Sequence, residues 1–169
     1  NSGWSLAEAH SGVELLESLG FAAIEQPMPD ANDPDLSYLA EQSRCAIIAD
    51  ESLLSMEDLQ RLLAAGGVQI FNLRLAKNGG LMPTLRMARV ALQAGKEVQL
   101  GCLVGETSVL TAAGQAFLRV CPKVRFAEGA FGGPGGVLGQ PVRPEVQGAE
   151  PAGRPLVELG GRELVAQEH

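Results

Sequence analysis

Two stretches, Phe21-Ala22-Ala23-Ile24-Glu25-Gln26-Pro27 and Cys45-Ala46-Ile47-Ile48-Ala49-Asp50-Glu51-Ser52, decide how this chain folds. Each is a short apolar run that ends on an acid. A bounded apolar run without alternation reads as a parallel strand buried on both faces. If both are such strands, Glu25 and Asp50 stand at their C-terminal ends and share one mouth. Carboxylates gathered there suit a hard divalent cation such as magnesium. The plainer reading of either acid alone is a helix cap. For two acids at matched positions the metal is preferred.

Working outward, the same unit recurs. Ser5 caps a helix through about Leu19, with Glu8 at capping-box spacing, and Gly20 stops it. After the first strand, Pro27, Pro29 and Pro34 hold a loop open, and a short helix runs from Asp35 to about Gln42. Cys45–Ala49 is the next strand. Ser52 or Ser55 caps a helix that ends near Ala65. A strand over Val68–Leu73, a helix over Leu81–Ala94, a strand over Val98–Gly101, a helix over Glu106–Leu118 and a strand over Val124–Ala127 follow. Gly114 weakens the last of those helices.

Strands alternating with helices imply parallel pairing with helices outside. The fold class is therefore α/β, either a doubly wound sheet or a partial (β/α) TIM-type barrel. No Gly-x-Gly-x-x-Gly follows a first strand, which counts against a dinucleotide fold. Gly132-Gly133-Pro134-Gly135-Gly136 follows the last strand and is read as a flexible connection. Residues 1–133 form the α/β portion. Residues 134–169 are a Gly- and Pro-rich tail with one hairpin, Pro155–Leu159 and Arg162–Val165 around Gly160-Gly161.

Composition narrows the partners. The net charge of −7 argues against nucleic acid and against an anionic membrane surface. No apolar stretch approaches the roughly 20 residues that span a bilayer. The three cysteines, Cys45, Cys102 and Cys121, are odd in number and form no Cys-x-x-Cys, so a reducing, cytoplasmic location is expected. His10 and His169 lie far apart, with no ligand-like spacing.

Five motifs in order carry a resemblance. They are Asn1-Ser2-Gly3-Trp4, Ile24-Glu25-Gln26-Pro27, Ala49-Asp50-Glu51-Ser52, Phe71-Asn72-Leu73-Arg74 with Lys77-Asn78-Gly79-Gly80, and Gly101-Cys102-Leu103-Val104-Gly105-Glu106-Thr107. Over residues 1 to about 130 the chain resembles the enolase superfamily, in the muconate-cycloisomerase-like subgroup (mandelate racemase/muconate lactonizing enzyme family). That subgroup also holds dipeptide epimerases, N-acylamino-acid racemases and o-succinylbenzoate synthases. The resemblance implies the later part of a modified (β/α) barrel, from the end of its third strand through its eighth, with the N-terminal capping domain absent.

It also implies magnesium, held by carboxylates at the ends of the third, fourth and fifth barrel strands. Glu25 and Asp50 match the second and third ligands. Asn1 matches the Asn of the Asp-x-Asn motif that carries the first, which places that Asp two residues upstream. The family chemistry removes a proton from the carbon next to a carboxylate, and the metal stabilises the enediolate. Lysines at the ends of the second and sixth strands flank the substrate. The sixth-strand lysine position is Arg74 here. A guanidinium stays protonated above about pH 12, so Arg74 is a poor base and a good fixed charge. One-base chemistry (elimination, cycloisomerisation or dehydration) is then expected over two-base racemisation.

The remaining assignments are more modest. Lys77 is read as holding its loop or solvating its surface. Cys102 and Leu103 are candidate pocket-lining residues, with core packing the plainer reading of Cys102. Glu106 contacts substrate or caps its helix. Gln26, Glu51 and Asn1 are expected behind the ligands. Trp4 is read as a packing anchor and Glu128 as a solvated loop acid. The expected function is a magnesium-dependent isomerase or lyase portion acting on a small carboxylate, forming a homo-oligomer or completed by a missing N-terminal half. The alternatives are a non-catalytic half-barrel that associates with itself or a partner, and an unrelated α/β binding module.

Overall fold

The structure, a computed structural model, describes residues 2–30, 33–103, 107–121 and 123–129, together with the backbone of 156–159 and 162–165. The elements run α1 (Leu6–Ser18), β1 (Ala23–Glu25), α2 (Asp33–Gln42), β2 (Ala46–Ala49), α3 (Met56–Ala65), β3 (Ile70–Leu73), α4 (Leu81–Gln93), β4 (Glu97–Leu100), α5 (Ser108–Val120), β5 (Val124–Ala127), β6 (Leu156–Leu159) and β7 (Arg162–Val165). Five parallel strands, β1 to β5, pair with their sequence neighbours and alternate with helices, forming a half-barrel. β6 and β7 form the expected hairpin, and β7 lies antiparallel against the outer edge of β1, with Ile24 opposite Leu164. The sheet order is β5-β4-β3-β2-β1-β7-β6. Among the described residues no helix is long and apolar enough to cross a membrane.

Several boundaries move inward for identifiable reasons. Phe21 and Ala22 precede β1 rather than belonging to it. Val68 and Gln69 stay outside β3. The Gln69 side chain also reaches across, accepting from the Ile47 N–H at 2.7 Å and donating to the Ala40 carbonyl at 3.1 Å, while its backbone N–H donates to the Ile47 carbonyl at 3.3 Å. Ser55, not Ser52, caps α3 in a capping box with Asp58. Thr107 caps α5, which therefore starts after Glu106. α2 begins at Asp33, before Pro34, which the first turn tolerates. Gly114 is buried within an α5 that continues past it.

Side chains alternate between the two faces of each strand. Ile24, Ile47, Ala49, Phe71, Leu73, Val98 and Leu100 face the helices and join Val13, Leu36, Leu59, Met87 and Phe117 in the main core. Ala23, Ile48, Ile70 and Phe126 form a separate cluster on the concave face. Residues two places further along the same strands therefore also face the concavity, at its C-terminal rim. They are Glu25, Asp50, Asn72 and Glu128, and all four are buried. Trp4 packs against the main core, its ring over Gly12.

Candidate active site

β1 delivers Glu25 to the rim. Its Oε1 accepts from Asn72 Nδ2 at 3.0 Å and from Arg74 Nη2 at 3.4 Å, and its Oε2 accepts from Gln99 Nε2 at 3.0 Å. β2 delivers Asp50, which is fully buried. One Asp50 oxygen takes Arg74 Nη2 and the other takes Lys77 Nζ, which also donates to the Asp50 carbonyl at 2.7 Å. Arg74 thus bridges the two carboxylates singled out in the sequence.

Gln26 fixes how the two loops meet. Its φ of 33° is left-handed, a conformation that non-glycine residues adopt at some cost. Its amide offsets that cost by tying four groups together. The Nε2 donates to Met28 O and Ser52 Oγ, both at 2.9 Å. The Oε1 accepts from Asp50 N at 2.8 Å and Ser52 N at 3.2 Å. Gln26 therefore orients the backbone of Asp50 rather than its carboxylate. Asn78 does the same for β3, accepting from Arg74 N at 2.8 Å and donating to Leu53 O at 3.0 Å.

Further round the rim, Gln99 spends both amide hydrogens on acids, Glu25 Oε2 and Glu128 Oε1, the latter at 2.6 Å. Glu128 Oε2 also accepts from the Cys102 N–H at 3.3 Å. The acids orient the amides, since a carboxylate only accepts and so takes the N–H end of each amide. The carbonyl oxygens of Asn72 and Gln99 are left buried with no hydrogen-bond partner, as are Glu51 Oε2 and Arg74 Nε. Gly101 is required beside Asn72, because a Cβ there would overlap the amide.

Electrostatics follow from this packing. Glu25, Asp50, Glu51 and Glu128 outnumber Arg74 and Lys77. Burial alone would pull the Arg74 guanidinium down, but Asp50 above all, then Glu25, Glu128 and Glu51, push it up. Arg74 is therefore a permanent cation. Burial, and next the charge of Asp50, raises the Glu51 carboxyl above the ordinary range.

Of the residues singled out in the sequence, Glu25, Asp50, Arg74 and Gln26 meet at one place, and Glu51 adjoins them. Cys102 is half-buried and reaches the rim through its N–H, so it is no core residue. Leu103 is exposed. Asn1 and Glu106 lie outside the described residues. One reading is decided and one changes. Of its two readings, Lys77 does not solvate a surface but holds its loop, as an ion partner of Asp50 and a donor to the Asp50 carbonyl, because the turn after β3 folds back over β2. Glu128 is not a solvated loop acid. It shares the parity of Phe126 and is therefore buried on the concave face, 3% exposed. Asn72 and Gln99 had no assigned role. Their signal is an amide between two buried apolar residues, Asn72 between Phe71 and Leu73 in β3 and Gln99 between Val98 and Leu100 in β4.

A half-barrel of parallel strands alternating with helices, with buried polar groups gathered at the C-terminal ends of the strands, defines a (β/α)-barrel protein. The chain belongs to the family described as enolase C-terminal domain-like, whose profile matches residues 1–150. A chloromuconate cycloisomerase from a Pseudomonas species is 38% identical over 113 residues, 67% of this chain and 30% of that protein. The muconate lactonizing enzyme of Pseudomonas fluorescens, solved with muconolactone, superposes with a TM-score of 0.66 at 36% identity over 69% of this chain and 32% of its own. The dipeptide epimerase of Enterococcus faecalis superposes with a TM-score of 0.72 at 27% identity, covering 75% and 37%. The chain spans about a third of the length of these relatives.

Proposed function

We propose that this chain is the metal-ligand-bearing part of an enolase-superfamily isomerase or lyase, which removes a proton from the carbon next to a substrate carboxylate. The observation that carries it is the convergence of buried Glu25 and Asp50 on one rim, bridged by Arg74. The donor set fits a hard divalent cation. The groups are carboxylate oxygens, acids exceed cations, and Glu51 Oε2 is buried with no partner. Among the described residues no three His, Cys, Asp or Glu gather as a ligand group. Glu25 and Asp50 would supply two of the cation's ligands. Bound magnesium would supply positive charge against the oxygen on which charge develops.

The chain's own residues fill the supporting roles. Arg74 holds a carboxylate or enolate oxygen as a fixed charge and takes no proton. Lys77 ties the Asp50 carboxylate and carbonyl to the turn after β3. Gln99 and Asn72 keep Glu25 oriented with their N–H groups. Because Arg74 takes no proton, one-base cycloisomerisation or elimination is favoured over epimerisation. A cytoplasmic location and a small carboxylate substrate belong to the same proposal.

Titration of the intact protein with magnesium tests it. Binding is expected and should be lost in Glu25→Gln and Asp50→Asn. No binding to the unsubstituted protein would sink the reading. A second reading, an associating half-barrel, is favoured by β5 standing at the sheet margin. A monomer by sedimentation, melting cooperatively, would count against it.

A further inference from the structure

The guanidinium that bridges the two carboxylates has more donors than it uses. Arg74 Nη2 serves both Glu25 Oε1 and Asp50 Oδ2, while Nε is buried with no hydrogen-bond partner. An Arg fork presents donors along a rigid plane, and two adjacent donors match the two oxygens of a carboxylate. In the observed arrangement one edge of the fork is spent on the protein's own acids and another donor is left unsatisfied beside them. A buried donor without a partner is costly, and the cost is relieved when a ligand supplies the acceptor.

We propose that Arg74 is a switch between two partners: it neutralises Glu25 and Asp50 until a divalent cation takes them over, and is then released to clamp the carboxylate of an incoming ligand. The inference rests on the metal reading above. Cation and guanidinium compete for the same oxygens of Glu25 and Asp50. Cation and carboxylate ligand cooperate, because the first frees the fork that the second uses. The coupling is reciprocal, so the carboxylate must tighten the cation by the same factor. Lys77 plays no part in the exchange. Its Nζ is anchored to the Asp50 carbonyl as well as to the other carboxylate oxygen, so it stays when Arg74 leaves.

The test is calorimetric titration of the intact protein with magnesium, with and without succinate as the carboxylate probe, for the unsubstituted protein, Arg74→Met and Lys77→Met. Arg74→Met should bind magnesium about tenfold tighter and lose most of the cooperation with succinate, which is expected at about fivefold or more in the unsubstituted protein. Lys77→Met also removes a positive charge from Asp50 and should tighten magnesium, yet keep the cooperation. The Arg74 Nε–H resonance should shift when magnesium is added before any succinate. Equal magnesium affinity in Arg74→Met and the unsubstituted protein overturns the competition and leaves the metal reading standing. Cooperation undiminished in Arg74→Met overturns the clamp. No magnesium binding by any of the three overturns both.

Discussion

The concave face of the half-barrel has two levels, and they are held together by opposite means. The lower level is Ala23, Ile48, Ile70 and Phe126, apolar side chains with nothing polar among them. The upper level, two residues further along the same strands, is Glu25, Asp50, Asn72 and Glu128, joined by Gln99 and Arg74. Side chains in the lower level are interchangeable in kind, since any apolar group of the right volume fills the space. In the upper level none is, since every acid depends on a particular donor. Rigidity at the site thus comes from a network of unlike groups resting on a featureless floor.

The largest effect should come from breaking the floor. Ile70 is fully buried, and Ile70→Ala should cost about 3 kcal/mol by leaving a cavity, read as a shift of the denaturant midpoint at constant slope. Ile70→Val should recover most of it. Next comes the upper level. Gln99→Leu keeps the volume but leaves two buried carboxylates each short of a donor, at about 2 kcal/mol. If that variant is as stable as the unsubstituted protein, the contrast between levels fails.

A charge outside the barrel sharpens the contrast. Burial alone would raise the Glu17 carboxyl, but the N–H groups of Cys45 and Arg44, with the Arg44 and Ser43 side chains, outweigh it and hold the carboxyl below its usual range. A depressed folded-state value means stabilisation that is complete above the ordinary carboxylate range and lost as pH falls through the folded value. Glu17→Ala should therefore cost about 1–2 kcal/mol at neutral pH, with the gap closing in acid, as read by melts at several pH values. The smallest effect is expected at Arg125, whose partner Glu97 is half exposed. Arg125→Ala should change stability by less than about 1 kcal/mol, and high salt should erase the difference.

The apolar strands and their two terminal acids are more legible in the sequence than the network. Apolar runs ending at Glu25 and Asp50 mark strand and site at once, because a charge beside a buried strand is conspicuous. Asn72 and Gln99 are quiet by comparison, since an amide inside a strand carries no charge and follows no spacing rule. Glu128 needed parity with Phe126, which is visible only when the end of β5 is placed to the residue. Lys77 depended on the path of a turn folding over a neighbouring strand, which pattern does not encode. Gln69 misled at a boundary because its backbone still hydrogen-bonds to Ile47 and Glu97 in the manner of a strand although it stands outside β3.

The β7 strand lies beside β1 although the two stand at opposite ends of the chain. Ile24 and its partner Leu164 are 140 residues apart, whereas β2 joins β1 across a single helix. Closing the longer loop costs more chain entropy and brings its reward later, so β1 is expected to gain β2 early in folding and β7 late.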